Sequence, residues 1–357
     1  MSSLDLFNNI YSNKKVLVTG DTGFKGSWLC IWLKEMGADV YGYALPPLTS
    51  NDNFVTCNLK KKIQHLSGDI RDKEKLQDHF NEIKPDIAFH LAAQPLVIDS
   101  YNNPHYNFET NLMGTVNFFE AVRNCNSVKT AINVTTDKCY HNNEWIWGYR
   151  ENDPMGGDDP YSASKGCSEL ITQSYLKSFF SEENTCHIAS GRAGNVIGGG
   201  DWAENRIIPD MMKAYRTGES SVIRNPNSVR PWQHVLEPLS GYLKLGEKLL
   251  STGKEYSGGW NFGPAAYENY SVGDVVNEVK KIIPDVKINS PEQTEKLHEA
   301  GLLKLDITKA VNLLGWKPKL DFEQTIKFTV DGYLTEIKST ENLYEARVEQ
   351  IKKYCKH

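Results

Sequence analysis

Tyr161 and Lys165 stand four residues apart in Tyr161-Ser162-Ala163-Ser164-Lys165, a stretch that follows Asp159-Pro160 and opens a helical-looking run. Residues at that spacing share one helix face, a turn apart. An ammonium beside a phenol favours the phenolate, so a tyrosine that ordinarily titrates near pH ~10 becomes a usable base. The same spacing also suits a solvated helix face. What the pair can do depends on what the remaining chain supplies.

The elements that would position such a base are legible upstream. Val16-Leu17-Val18-Thr19 reads as a short strand, Gly20 to Gly26 as a glycine-rich turn, and Ser27 to Met36 as a helix closed by Gly37. Gly20, Gly23 and Gly26 give the spacing G-x-x-G-x-x-G, which lets the backbone turn tightly and approach a pyrophosphate at a helix N-terminus. This context predicts a dinucleotide cradle formed by Gly20, Thr22, Gly23, Phe24, Lys25 and Gly26. A second strand, Asp39 to Leu45, ends on Ala44-Leu45, without the acid that NAD sites usually place there for the adenosine ribose. On residue grounds alone, NAD against NADP stays open.

Asp69-Ile70 follows a third strand, where it would flank an adenine, although a helix cap and a core isoleucine fit equally well. The fourth strand, Pro85 to Ala93, ends in Leu91-Ala92-Ala93, whose small side chains admit a cofactor; His90 reads as a core residue. Tyr106 to Val122 reads as one long helix, with Asn111 suited to a polar task under the cofactor. Thr130 to Thr136 is a fifth strand leading into Asp137-Lys138-Cys139-Tyr140. Open α/β sheets bind ligands at such strand ends, though a surface ion pair is the plainer alternative.

Bulk properties narrow the classes. The 357-residue chain is 39% hydrophobic and 24% charged, enough to bury a full core. A net charge of -5 leaves no basic excess for a phosphate backbone, so nucleic acid is not an expected partner. The seven cysteines include no C-x-x-C and read as reduced thiols, with neither a disulfide frame nor a metal site. The polar Met1–Asn13 stretch has no signal-peptide core, and no apolar run of about 18 residues suggests a membrane span. The expected location is the cytoplasm.

Strand, glycine turn and helix, a later strand ending in Thr-Asp, then Tyr-x-x-x-Lys: this combination resembles the extended short-chain dehydrogenase/reductases that act on nucleotide sugars. Longer blocks narrow it. Thr19 to Gly26, Ala92 to Val97, Asp137 to Tyr140, Glu144 to Asn152, Arg192 to Trp202 and Arg230 to Pro238 are similar to the CDP-glucose 4,6-dehydratase family. The resemblance runs from about Lys15 to beyond Trp316.

It implies an α/β fold, a Rossmann-type doubly wound parallel sheet with a smaller, mixed α/β substrate-binding lobe. Residues 1–192 would form the NAD-binding domain, with 235–263 returning to it; 193–234 and 264–357 would mainly form the lobe. It implies bound NAD used catalytically, and CDP-D-glucose converted to CDP-4-dehydro-6-deoxy-D-glucose and water, on the way to 3,6-dideoxysugars of bacterial surface polysaccharide (O-antigen). It further implies a homodimer or homotetramer built on the helices around Asn111 and Glu169.

The reaction needs a base for the C4 hydroxyl, a hydride acceptor, a base for C5 and an acid for the departing C6 hydroxyl. Tyr161 suits the first role, with Lys165 lowering its pKa and reaching the nicotinamide ribose. By resemblance, Thr136 bonds the C4 oxygen and Asp137 is the acid. Lys138 is either the C5 base or a cation steadying the enolate. Asn195 would lie near the substrate phosphates, Arg206 on a helix facing the nucleotide, Arg230 on the pyrophosphate and Gln94 at the sugar end. Trp232 and His234 fit the nucleotide or the core. The alternatives are another dehydratase or 4-epimerase of this fold, or a non-catalytic NAD-binding regulator.

Overall fold

The computed structural model describes residues 7–182, 186–223, 225–265, 267–289, 302–339 and 341–357. Seven parallel strands form the central sheet: β1 (Lys15–Thr19), β2 (Asp39–Ala44), β3 (Gln64–Ser67), β4 (Ile87–His90), β5 (Thr130–Val134), β6 (His187–Ala193) and a last strand, Gly258–Phe262. From edge to edge the order is Gly258–Phe262, β6, β5, β4, β1, β2, β3. Every residue of β4 and β5 is buried, as expected for central strands covered by helices on both faces. The strand order reverses between β1 and β4, so their C-terminal ends open the crevice where such sheets take ligands. The Rossmann-type sheet expected from the sequence is present.

Three apolar clusters hold the molecule together. One lies on the face covered by α1 (Phe24–Glu35) and the helix Leu236–Ser251. A second lies on the opposite face, beneath the helices Lys73–Ile83 and Gly114–Arg123. The third is the core of the smaller lobe, where Ile208, Met211 and Met212 meet Val275, Val279, Ile326 and Tyr333.

The division of the C-terminal part differs from the expected one. Leu303 to Leu320, beside the helix Leu236–Ser251 and the last strand, and Leu343 to Tyr354, beside α1, contribute to the first cluster and not to the lobe. The tail, which bears no readable motif, forms a helix, Leu343–Lys356, that packs on α1 with Trp32 edge-on to Tyr354. This second covering layer explains why α1 buries Trp28 through Leu33 without a polar face. Sequence periodicity marks an apolar face but not which body it covers. Of the expected strand and turn at Glu299–Asp306, Glu299 to Gly301 lie outside the described residues, and Leu305 makes only an isolated bridge with Tyr149.

Two helices position the candidate chemistry. Pro160–Phe179 starts where Asp159 caps the Ser162 N–H at 2.9 Å and Pro160 supplies a pre-set first turn. The expected long helix around Asn111 is Pro104–Phe108, a π-helical turn Glu109–Met113, then Gly114–Arg123. A π turn admits one extra residue and re-aims the side chains in it. Here it turns Asn111 inward to 1% exposure.

Candidate active site

The glycine turn lies against the end of β4. Gly20 has φ +76°, and a Cβ on it would stand 2.6 Å from the Ala92 nitrogen. A Cβ on Gly26 would stand 2.1 Å from the Gly20 carbonyl oxygen. Only glycine fits at either position. Gly23 is the N-cap of α1 and offers no side-chain cap, so the first N–H groups of a twelve-residue helix face the crevice. Such a terminus fits a diphosphate. The turn, Phe24 at the head of α1 and the small residues Ala92 and Ala93 therefore fit a dinucleotide cofactor. The Thr22 hydroxyl donates to the Leu45 carbonyl at 2.9 Å and ties this turn to the end of β2.

No carboxylate follows β2. The acid within the turn, Asp21, points inward, fully buried and 2.7 Å from His65 Nδ1. Asp69 is held by the Arg71 guanidinium at 2.7 Å, and this contact draws its carboxyl below the usual range. The Ile70 side chain packs against Gly114 in the second core cluster. His90 is a satisfied core residue: Nδ1 hydrogen-bonds Thr19 at 2.7 Å, and burial pushes its pKa down to about 3.

At the end of β5, Thr136 and Asp137 enter a single 3₁₀ turn, Asp137–Cys139. The Thr136 hydroxyl donates to Asp137 Oδ1 at 2.9 Å and also contacts the Tyr161 phenol. Asp137 is 1% exposed, and its Oδ2 is buried without a hydrogen-bond partner among the described residues. A buried carboxylate oxygen left unpaired marks a place where a ligand group belongs. Gly194 makes room for it, since a Cβ there would lie 2.8 Å from Oδ2. Lys138 is half-buried, and its N–H reaches Thr136 Oγ1 at 3.4 Å.

Tyr161 and Lys165 both point into this region, at 9% and 6% exposure. Burial pushes the phenol up to about 12, while Thr136 and the Arg206 guanidinium pull it back. Arg206, from the smaller lobe, is thus a cation that lowers the Tyr161 phenol, and helix spacing does not point to it. Lys165 Nζ turns towards the end of β5 and lies 3.4 Å from the Val134 carbonyl oxygen. Burial pushes its pKa down to about 8, against the opposing charge of Glu169. Lys25 joins the same cluster: burial, then Lys165 and Arg206, push it down to about 8, with Asp137 and Asp201 opposing.

Asn111 is spent on the protein itself. Its Oδ1 accepts the Gln94 N–H at 2.8 Å, and its Nδ2 donates to the Gln94 carbonyl, Asn107 Oδ1 and Ser164 Oγ at 3.0, 3.1 and 2.9 Å. It fastens the loop after β4 to the helix of Tyr161. Gln94 Oε1 is buried without a partner among the described residues.

From the lobe, Arg206 pairs with Asp201 at 2.8 Å and precedes the helix Ile207–Thr217. Asn195 is half-buried beside Gly194, and its carbonyl accepts from the Gln233 N–H at 3.1 Å. Arg230 is half-buried in a short strand paired with Tyr270–Ser271. Trp232 and His234 belong to the core: Trp232 Nε1 donates to the Tyr270 carbonyl at 3.0 Å, and His234 meets Trp28 edge-on. Sequence reasoning did not assign Glu169 or Arg192 a role, nor Arg347. Each is a charged residue at 0% exposure, and nothing in the local sequence pattern signals burial of a charge. Among the described residues no group of His, Cys, Asp and Glu could hold a metal ion.

The sequence matches the family described as GDP-mannose 4,6 dehydratase over residues 17–329. A CDP-glucose 4,6-dehydratase of Salmonella typhimurium is 48% identical over 322 residues, 89% of this chain and 90% of that protein. The fold is similar to that of a dTDP-glucose 4,6-dehydratase from Bacillus anthracis solved in complex with NAD, with a TM-score of 0.75 and 22% identity, covering 92% of this chain and 99% of that one. It is also similar to a UDP-glucose 4-epimerase from Thermotoga maritima solved with UDP-glucose, with a TM-score of 0.77 and 23% identity, covering 91% of this chain and 100% of that one.

Proposed function

Because the chain belongs to the GDP-mannose 4,6-dehydratase family, we propose that it is an NAD-dependent CDP-glucose 4,6-dehydratase, which turns CDP-D-glucose into CDP-4-dehydro-6-deoxy-D-glucose and water. The observation that carries the reaction class is the unpaired buried oxygen of Asp137 beside Tyr161. A 4-epimerase needs a base and a cofactor but no acid for a departing hydroxyl. The cytidine nucleotide rests on the 48% identical relative.

NAD would be held by Gly20, Thr22, Gly23, Phe24, Lys25 and Gly26, with Asp69, Ile70, Leu91, Ala92 and Ala93 around it and Lys165 at its ribose. The chemistry it supplies when bound is removal of the C4 hydride and its return at C6. Tyr161 accepts the C4 hydroxyl proton, and Thr136 steadies that oxygen. Once C4 is a carbonyl, the C5 proton is acidic. Lys138 either removes it and returns it to C5 once C6 has taken the hydride, or steadies the enolate with its charge while water takes up and returns that proton. Asp137 gives a proton to the C6 hydroxyl, which leaves as water. Tyr161 carries a high pKa from burial, so it needs nearby positive charge to become a base; Arg206 lowers it, and Lys165, one helical turn away, is the second cation of the pair. Asn195, Arg206, Arg230 and Gln94 bind the substrate.

The test is incubation with NAD and CDP-glucose, beside dTDP-, UDP- and GDP-glucose, followed by detection of the 4-keto-6-deoxy product. Absence of product from CDP-glucose refutes the reading, and interconversion of UDP-glucose and UDP-galactose would replace it with a 4-epimerase.

The proposed assembly is a homodimer or homotetramer through the helices of Asn111 and Glu169. Met113 and Leu170 on these helices are 47% and 55% exposed, unusual for large apolar side chains unless covered. Light scattering of the purified protein decides it, and a monomer at micromolar concentration would exclude it. A cytoplasmic location is supported by seven free cysteines and by the lack, among the described residues, of any helix long and apolar enough to cross a membrane.

A further inference from the structure

The helix of Tyr161 carries a single acid, Glu169, one turn beyond Lys165. Its carboxylate and the Arg192 guanidinium meet at 2.7 Å, both side chains at 0% exposure. Oε1 accepts from the Thr135 hydroxyl, and Oε2 accepts from Ser190 Oγ at 2.7 Å. Arg192 Nη1 also donates to the Tyr140 hydroxyl at 2.5 Å and to the Glu151 carbonyl at 3.0 Å. Gly259 on the last strand makes the space, since a Cβ there would lie 2.3 Å from Arg192 Nη2. Burial pushes the Glu169 carboxyl up, but Arg192 and the two hydroxyl bonds outweigh it and hold it below the usual range.

Two positions matter. Thr135 directly precedes Thr136 and Asp137, so Glu169 grips the strand end that presents them. Lys165 precedes Glu169 by one helical turn and touches Val134 on the same strand. Further along, Asn133 Nδ2 donates to Ser168 and Thr172, each at 2.9 Å. One face of the helix is therefore fastened residue by residue to β5. A buried ion pair adds little net stability compared with well-packed apolar residues. Its presence here calls for a task that apolar packing cannot do, which is to fix a register and carry a charge.

We propose that Glu169 and Arg192 are positioning residues of the active site: the pair locks the helix bearing Tyr161 and Lys165 in register with the strand end bearing Thr136 and Asp137, and sets a negative charge one turn below the Lys165 ammonium. The catalytic meaning rests on the dehydratase reading; the lock itself does not. The charged and titratable groups that face Lys165 are Glu169 on its own helix, Cys139 in the turn after β5, Lys25 on α1 and His90 on β4. Glu169 opposes the burial that drives Lys165 down, so its charge keeps the ammonium protonated at higher pH.

The experiment compares E169Q, E169D and the double variant E169Q/R192M. Three readouts are the thermal transition, the pH dependence of kcat, and the titration of Lys165 itself. The last is read by NMR of protein labelled with ¹³Cε-lysine, with the resonance assigned by its loss in K165M, and it needs no sugar substrate. E169Q leaves Arg192 buried without its partner and lowers the thermal transition. The double variant removes both charges and recovers most of it. In E169Q and the double variant alike, Lys165 titrates about one pH unit lower, and the alkaline limb of kcat moves with it. E169D keeps the charge and the wild-type titration, but its shorter side chain loosens the register and lowers kcat about tenfold. A double variant that folds like the wild type and titrates like it overturns the proposal, as do equal shifts in E169Q and E169D. If no nucleotide sugar is turned over by the wild type, the dehydratase reading fails while the Lys165 titration still decides this one.

Discussion

Replacing Asn111 with alanine separates two roles that the sequence could not distinguish. The side chain makes four hydrogen bonds, of 2.8 to 3.1 Å, all to the protein. N111A leaves the Gln94 N–H and carbonyl unpaired in a buried setting, while Ser164 and Asn107 keep other partners. At about 1–3 kcal/mol per orphaned group, partly relieved by relaxation, the loss is roughly 3 kcal/mol. With an unfolding entropy near 2 cal/mol/K per residue, a chain of this size loses roughly 4 °C from its midpoint. Ser164 donates to the Tyr161 carbonyl at 2.7 Å, so the same change loosens the base and lowers kcat by about ten- to a hundredfold. The assay is a thermal melt beside steady-state kinetics and an NAD titration followed by tryptophan fluorescence. If NAD affinity falls more than about tenfold while the midpoint stays at the wild-type value, Asn111 binds the cofactor directly and the reasoning is wrong.

K138A permits oxidation at C4; if Lys138 is the C5 base, exchange of the C5 proton with solvent deuterium stops, and undiminished exchange by mass spectrometry assigns Lys138 to the enolate instead. Lys25 has a folded pKa of about 8 against an ordinary 10.5, so between these values the unfolded chain binds more protons there; the wild type therefore gains stability relative to K25M as pH rises through that window, measured by urea denaturation. Arg347 is fully buried against Glu336 and Asn53, joining the C-terminal helix to the lobe and the body. R347M strands Glu336 and costs about 3–5 kcal/mol by denaturant unfolding; a cost below about 1 kcal/mol would mean that the pair does not clasp the two parts.

Local chemistry made much of this protein legible. The glycine spacing, the strand before it and the helix after it need only neighbouring residues, because a tight turn and a close backbone approach are local demands. The four-residue spacing of Tyr161 and Lys165 likewise follows from helix geometry. The apolar runs marked individual strands, because parallel strands covered on both faces must be apolar throughout, and the resemblance implied the doubly wound sheet that joins them. The tail failed for the converse reason: with no polar-free run and no motif, the helix Leu343–Lys356 acquires meaning only from the α1 tryptophans it covers.

The sequence by itself determined which groups could do chemistry, and roughly where along the chain each strand end would present them. Only the tertiary structure decided which charges act on which. Helix spacing places Lys165 one turn from Tyr161, yet its Nζ lies 3.4 Å from the Val134 carbonyl oxygen, and Arg206, from the smaller lobe, also lowers the Tyr161 phenol. Asp21, within the glycine turn, is buried against His65. Glu169 and Arg192, 23 residues apart in sequence, meet at 0% exposure. Electrostatic coupling depends on distance and on how much water lies between two groups, and both are set by packing between segments far apart in sequence.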